Sequence, residues 1–181
     1  MVKLLGTGKV KSIGVCNFNI RRLEELLSKT DHPPVVNQIE AHPYLQQQKL
    51  FDFCKANHIL IQAYSPLGNN QTGEPKVVDD PKVQGLAKRL GKDGGQLLVS
   101  WAIQRGTVVL PKSVTESRIR SNREVFELPP DVMEELNSLE RHKRFNFPAR
   151  WGVDIFDEVG NDQARKAALD WAEENKKNTR S

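Results

Sequence analysis

The stretch TVVLPKSVTESRIRSN, residues 107–122, decides the fold. Val108, Val109 and Leu110 form an apolar run of strand length, read here as fully buried, and Pro111 then bars further ladder pairing because it has no N–H to give. Lys112 follows, then the hydroxyls of Ser113 and Thr115, which can cap the helix that begins there and carries Arg118. A phosphate is held in this way at the end of a barrel strand. The helix N-terminus presents unpaired N–H groups, Lys112 a point charge, and Arg118 a planar fork suited to phosphate oxygens. Asn122 lies one turn beyond Arg118 on the same face. Alone, the pattern also suits ordinary capping above a solvated surface.

Three earlier segments share the scheme of an apolar run ending in polar or turn residues: KSIGVCNFN at 11–19, VVNQIEAHP at 35–43 and ILIQAYSPLG at 59–68. They predict strands over 12–16, 35–39 and 59–63, with a fourth over 107–110. Between them lie helical patterns. Residues 20–28 place Leu23, Leu26 and Leu27 on one face behind Asn19 as N-cap, and residues 47–57 repeat this through Leu50, Phe53 and Cys54. Strands alternating with helices imply parallel βαβ units. After Tyr64 comes a polar loop over 69–80, then helices at 81–90 and 96–105, the second turning Leu97, Leu98 and Trp101 inward. A helix at 131–141 presents Met133, Leu136 and Leu139, and a charged helix is expected over 162–177.

Taken together and in this order, GVCNF, NQIE with HPY, AYSPLG, and PKS with Arg118 and Asn122 resemble the aldo-keto reductase family over nearly the whole chain, from about Leu4 to about Phe156. The resemblance implies an α/β fold: a partial (β/α)8 TIM barrel, about the last four βα units plus a C-terminal loop and tail. Residues 1–140 would be the C-terminal half of an NADP-dependent oxidoreductase barrel, and 141–181 the C-terminal loop and helical tail. The implied cofactor is NADP(H), and the implied activity is reduction of aldehydes or ketones to alcohols by hydride transfer.

By the same resemblance Asn17 and Gln38 grip the nicotinamide carboxamide, with Cys16 standing where the family commonly has serine. Tyr64 stacks on the nicotinamide, and Ser65 and Leu67 meet the pyrophosphate. Lys112, Ser113, Thr115 and Arg118 hold the phosphate on the adenosine ribose, while Val114 and Asn122 lie by the adenine. Asn69, Asn70 and Gln71 match a belt that folds over the pyrophosphate. Phe147 and Trp151 match the wall of the substrate pocket. Glu40 and His42 cluster near these groups but match a segment not charged with proton transfer, so they are read as structural.

The family's proton donor is a tyrosine, assisted by a lysine, an aspartate and a histidine from the first half of the barrel. Tyr44 and Tyr64 are the chain's only tyrosines, and neither matches it. No catalytic residue is therefore expected here, and the isolated chain is expected not to turn over. Residues 1–5 before Gly6 and Gly8 read as the last turn of a helix, so a fragment, truncated product or incomplete gene model is expected. A full barrel typically needs about 250 residues, against 181 here. The alternative is a non-catalytic nucleotide-binding or interaction module that self-associates through open barrel edges or pairs with an N-terminal half.

Composition sets the remaining bounds. Hydrophobic residues make up 38% and charged residues 28%, as in an ordinary globular domain. The net charge of +4 suits an anionic ligand, but the basic residues are scattered. Arg141, Lys143 and Arg144 read as a solvated helix end, so no nucleic-acid partner is expected. Cys16 and Cys54 read as reduced thiols of a cytoplasmic protein. The histidines and cysteines show no ligand spacing, so no metal is expected, and neither a signal peptide nor a membrane span is expected.

Overall fold

The computed structural model describes residues 1–69, 75–147 and 151–178. Parallel strands must be joined by crossovers, and here each crossover is helical. β1 (Val15–Cys16) is followed by α2 (Ile20–Leu27), β2 (Val36–Glu40) by α3 (Gln48–Ala56), and β3 (Leu60–Tyr64) by α4 (Pro81–Arg89) and α5 (Gly94–Gln104). A short 3-10 helix, Val77–Asp79, leads into α4. After β4 (Val108–Val109) come α6 (Glu116–Ser121), α7 (Pro130–Asn137) and α8 (Asn161–Asn178), while α1 (Val2–Leu5) precedes β1. The strands form one all-parallel sheet in the order β1-β2-β3-β4.

The register assigns each strand residue to a face. Cys16, Gln38, Gln62 and Val108 are successive partners across the sheet, and so are Ile39, Ala63 and Val109. Ile39, Ile61 and Ala63 are buried with Leu23 of α2 and with Leu50 and Cys54 of α3. The opposite face is more open: Leu60 is 57% exposed and Val108 40%. This corrects the reading of 108–110 as a fully buried run. Val109 alone packs on the core, while Leu110 is 41% exposed. β1 and β4 are each two residues long, shorter than expected, although Val35 N–H still donates to Ile13 C=O at 2.9 Å and Leu110 N–H to Ala63 C=O at 3.0 Å.

A second apolar cluster joins α4, α5 and α7 through Val83, Leu86, Leu97, Leu98, Trp101, Val132 and Leu136. Trp101 is buried as expected, and its Nε1 donates to Asn137 Oδ1 at 2.8 Å. The caps explain where helices begin. Asn19 Oδ1 accepts from Arg22 N–H at 2.9 Å, and Asp80 accepts from Lys82 and Val83 N–H ahead of Pro81. α5 starts at Gly94 rather than at Gln96 because Asp93 and Gln96 close a capping box, which overrides the weak helix propensity of two glycines.

The chain divides into two compact units, Met1–Phe145 and Asn146–Ser181. In the second, the buried Asp154 carboxylate accepts from the N–H groups of Phe156, Val159 and Gly160 ahead of α8. Among the described residues no helix is long and apolar enough to cross a membrane.

Leu97 is fully buried, so Leu97→Ala should cost about 2–5 kcal/mol in chemical denaturation. Loss of the α2 cap in Asn19→Ala should cost only about 1 kcal/mol.

Candidate functional site

Asn37 builds one end of the site. It lies fully buried on the helix-covered side of β2, where its Oδ1 accepts from Phe18 N–H at 3.3 Å and its Nδ2 donates to Phe18 C=O at 2.8 Å. With Asn17 N–H donating to Gln38 C=O at 2.9 Å, this fixes the turn after β1. Asn17 adopts φ 56°, a left-handed conformation that asparagine tolerates better than most residues. Its Oδ1 then accepts from Tyr64 Oη at 3.2 Å. Gln38 Nε2 donates to Gln62 Oε1 at 2.5 Å across β2 and β3. Four expected residues thus gather on three adjacent strands: Cys16, Asn17 and Tyr64 at or just past the strand ends, and Gln38 mid-strand opposite Cys16. Gln62 joins them unforeseen on the same face and Asn37 supports them from the other; the signal for each was an amide interrupting an apolar strand run, VVNQIE and ILIQAY.

The turn after β3 is equally constrained. Ser65 lies at φ 49° and its C=O accepts from Gly68 N–H at 2.9 Å. Gly68 is at φ 73°, and a Cβ there would lie 2.6 Å from Val77 N, so only glycine allows the turn to fold against Val77–Asp79. Leu67 C=O accepts from Val78 N–H at 3.0 Å, and its side chain packs on the core. Of the belt residues, Asn70 and Gln71 lie outside the described residues.

Beyond β4 an open cleft of about 590 Å³ runs between the 109–113 segment and a wall formed by Ile119, Asn122 and Arg123. Lys112, Ser113 and Asn122 line it, whereas Val114, Thr115 and Arg118 do not, and Val114 is 83% exposed. The expected side-chain caps of α6 are corrected. Thr115 occupies the N-cap position without a cap bond, and Ser113 Oγ instead accepts from Thr115 N–H at 3.1 Å. Arg120 is tied to Glu116 at 2.8 Å, but among the described residues Lys112, Arg118 and Arg123 form no ion pair. Asn122 approaches closely because position 95 is glycine: a Cβ there would lie 3.0 Å from Asn122 Oδ1.

Glu40 and His42 are shut away from solvent. Glu40 Oε1 accepts from Phe145 N–H at 2.9 Å and lies 3.0 Å from His42 Nε2, with Arg144 3.8 Å from Oε2. This arrangement secures the 144–145 backbone. Neither tyrosine is set up as an acid. Burial, reinforced by the hydrogen bond to Asp80, pushes Tyr44 up to about 12, and burial followed by the Glu40 charge raises Tyr64. Burial also pushes the Cys54 thiol up to about 11. In the second unit the Phe147 ring lies 6.2 Å from that of Phe156, and Trp151 is 54% exposed. Among the described residues no group of three His, Cys, Asp or Glu side chains could hold a metal ion.

Comparison with known proteins shows the family. The family model described as the aldo/keto reductase family matches residues 1–141. The chain is 44% identical over 155 residues to aldo-keto reductase family 1 member A1-A of Danio rerio, an alignment covering 82% of this chain and 48% of that protein. To glycerol 2-dehydrogenase (NADP(+)) of Saccharomyces cerevisiae it is 40% identical over 145 residues, covering 79% and 46%. A crystal structure of an aldo-keto reductase complexed with NADPH is similar with a TM-score of 0.75 and 35% identity, over 83% of this chain and 48% of that one. An aldo-keto reductase from a Medee basin deep-sea metagenome library gives a TM-score of 0.76 at 36% identity, over 87% and 56%. The chain spans about half the length of the curated relatives it matches.

The Tyr44–Asp80 pair should leave a pH signature. Burial opposes the Asp80 carboxylate, but hydrogen bonds from Tyr44 Oη and the Lys82 and Val83 amides, with the Arg141 charge, outweigh it and hold its pKa down. A depressed acid stabilises above its unfolded pKa of about 4 and loses that contribution as pH falls through the folded value. Tyr44 is raised, so its contribution is complete below about pH 10 and lost as pH climbs toward about 12. The stability difference between the wild type and Tyr44→Phe should therefore narrow between pH 10 and 12, as read from urea midpoints.

Proposed function

The chain belongs to the aldo/keto reductase family, and from that premise we propose that it is the NADP(H)-holding portion of a reductase that converts aldehydes or ketones to alcohols. The observation that carries the proposal is the convergence of Asn17, Gln38 and Tyr64 on a parallel sheet whose last strand is followed by Lys112, which forms no ion pair among the described residues. When bound, NADPH supplies the hydride.

The residues present fit that cofactor. A primary carboxamide both donates and accepts, as does the Asn17 and Gln38 amide pair. Cys16 and the half-buried Tyr64 ring supply the surface beside it, and Ser65 and Leu67 the wall for the pyrophosphate. Lys112, Ser113, Thr115 and Arg118 serve the phosphate on the ribose, with Val114 and Asn122 at the adenine. Among the described residues no carboxylate pairs with Lys112 or Arg118, whereas the neighbouring Arg120 is tied to Glu116. Phe147 and Trp151 are assigned to the wall facing the carbonyl substrate.

Reduction of a carbonyl also needs a proton on the oxygen. Tyr44 Oη donates to Asp80 and Tyr64 Oη to Asn17, and burial makes both weaker acids than a free phenol. We therefore place the proton donor in barrel units outside these 181 residues, and read the four βα units as a cofactor-binding half of a (β/α)8 barrel. The free thiols of Cys16 and Cys54 suit a cytoplasmic setting. The openness of the sheet face bearing Leu60 and Val108 favours a second reading, an interaction module that associates through that face.

Titration with NADPH and NADH tests the main reading. Arg118→Ala and Lys112→Ala should each weaken NADPH binding about 10- to 100-fold, the worth of a charge-assisted hydrogen bond, and leave NADH binding unchanged. Equal binding of the two cofactors by the wild type would sink the assignment. So would carbonyl reduction by the pure chain that is lost in Tyr64→Ala, since no proton donor is assigned here.

A further inference from the structure

Gln38 and Gln62 are register partners on β2 and β3, both half-buried and on the face that carries Cys16. Gln38 Nε2 donates to Gln62 Oε1 at 2.5 Å. A glutamine amide is nearly symmetric in shape but opposite in chemistry at its two ends, and its terminal torsion is soft. Unanchored, Gln38 would offer a neighbour either its oxygen or its nitrogen. Anchored through Nε2, it turns Oε1 away from Gln62 as a free acceptor.

The other amide of the rim is polarised the opposite way. Asn17 Oδ1 is taken by Tyr64 Oη at 3.2 Å, which leaves Asn17 Nδ2 as the free donor. One free acceptor and one free donor match the N–H and C=O of a primary carboxamide and oppose the reversed orientation. We infer that Gln62 is a positioning residue: by accepting from Gln38 Nε2 it sets the polarity of the Gln38 amide, and so the orientation in which the nicotinamide carboxamide is accepted. This rests on the NADP(H) reading of the site.

The test compares three ligands on the 181-residue chain by fluorescence or calorimetric titration: NADPH, its reduced 3-acetylpyridine analogue, and adenosine 2′,5′-bisphosphate. The analogue carries a methyl where the carboxamide has its NH2 and so cannot donate to Gln38 Oε1. The wild type should prefer NADPH over the analogue about tenfold. In Gln62→Met, a near-isosteric change, that preference should vanish through weaker NADPH binding, while the analogue and the bisphosphate bind as before. Gln62→Glu keeps an acceptor for Gln38 Nε2 and should keep the preference. Gln62→Met with its preference intact, or Gln62→Glu behaving like Gln62→Met, would overturn the role given to Gln62 while leaving cofactor binding standing. A wild type that binds neither NADPH nor the bisphosphate would overturn the cofactor reading and this inference together.

Discussion

Asn37 is fully buried on the same face of β2 as Ile39, opposite Ile61 in the register, and gives both ends of its amide to the backbone of Phe18. A buried amide without partners costs several kcal/mol, and bonds of this kind recover that cost only in one geometry. The turn after β1 is therefore held in a single conformation. That conformation places Asn17 at positive φ and brings its side chain to Tyr64. Cys54 is fully buried in the apolar cluster with Ile39 and Ile61, where burial pushes its thiol up to about 11 and keeps it protonated. The site at the rim thus depends on a side chain that faces the core.

The sheet works with two unlike faces. Parallel strands buried on both sides read as continuous apolar runs, yet β2 reads VNQIE and β3 LIQAY. Ile39, Ile61 and Ala63 meet helices, whereas Gln38, Gln62 and Tyr64 stay half-buried on the other side. The amide pair costs little there because Gln38 donates to Gln62 and both side chains stay half-buried rather than shut away from water. The polarity useful for recognition is tolerated because it lies on the face that the helices do not cover.

That division explains which features were legible in the sequence. Helices announced themselves through spacing and caps, as with Asn19 and the Leu23 face of α2. Motif residues were legible through their order along the chain, although Arg118 and Thr115 lie off the cleft that Lys112 and Asn122 line. Gln62 and Asn37 were not legible, because a period of two says that neighbours point oppositely without saying which face is covered. The exposure of Val108 has the same cause: an apolar run looks alike whether one face or both are buried. The start of α5 was misjudged because Gly94 and Gly95 argue against helix until the Asp93 and Gln96 capping box is seen.

Gly95 also shows how the two ends of the site are joined. The turn after β3 folds against Val77 only because Gly68 has no side chain, and Leu67 then bonds to Val78. From there the chain runs through α4 into the N-terminus of α5, where Gly95 has both Leu67 and Asn122 as neighbours. In the proposed function Leu67 would face the pyrophosphate and Asn122 the adenine. One packed block therefore sets the distance between the rim amides and the cleft beside Lys112. Surface ion pairs such as Arg89 with Asp131 add little stability, so the absence of an ion pair to Lys112 or Arg118 among the described residues sacrifices little. A rigid spacer between an amide-lined end and a cationic end fits an extended ligand that is neutral and hydrogen-bonding at one end and anionic at the other.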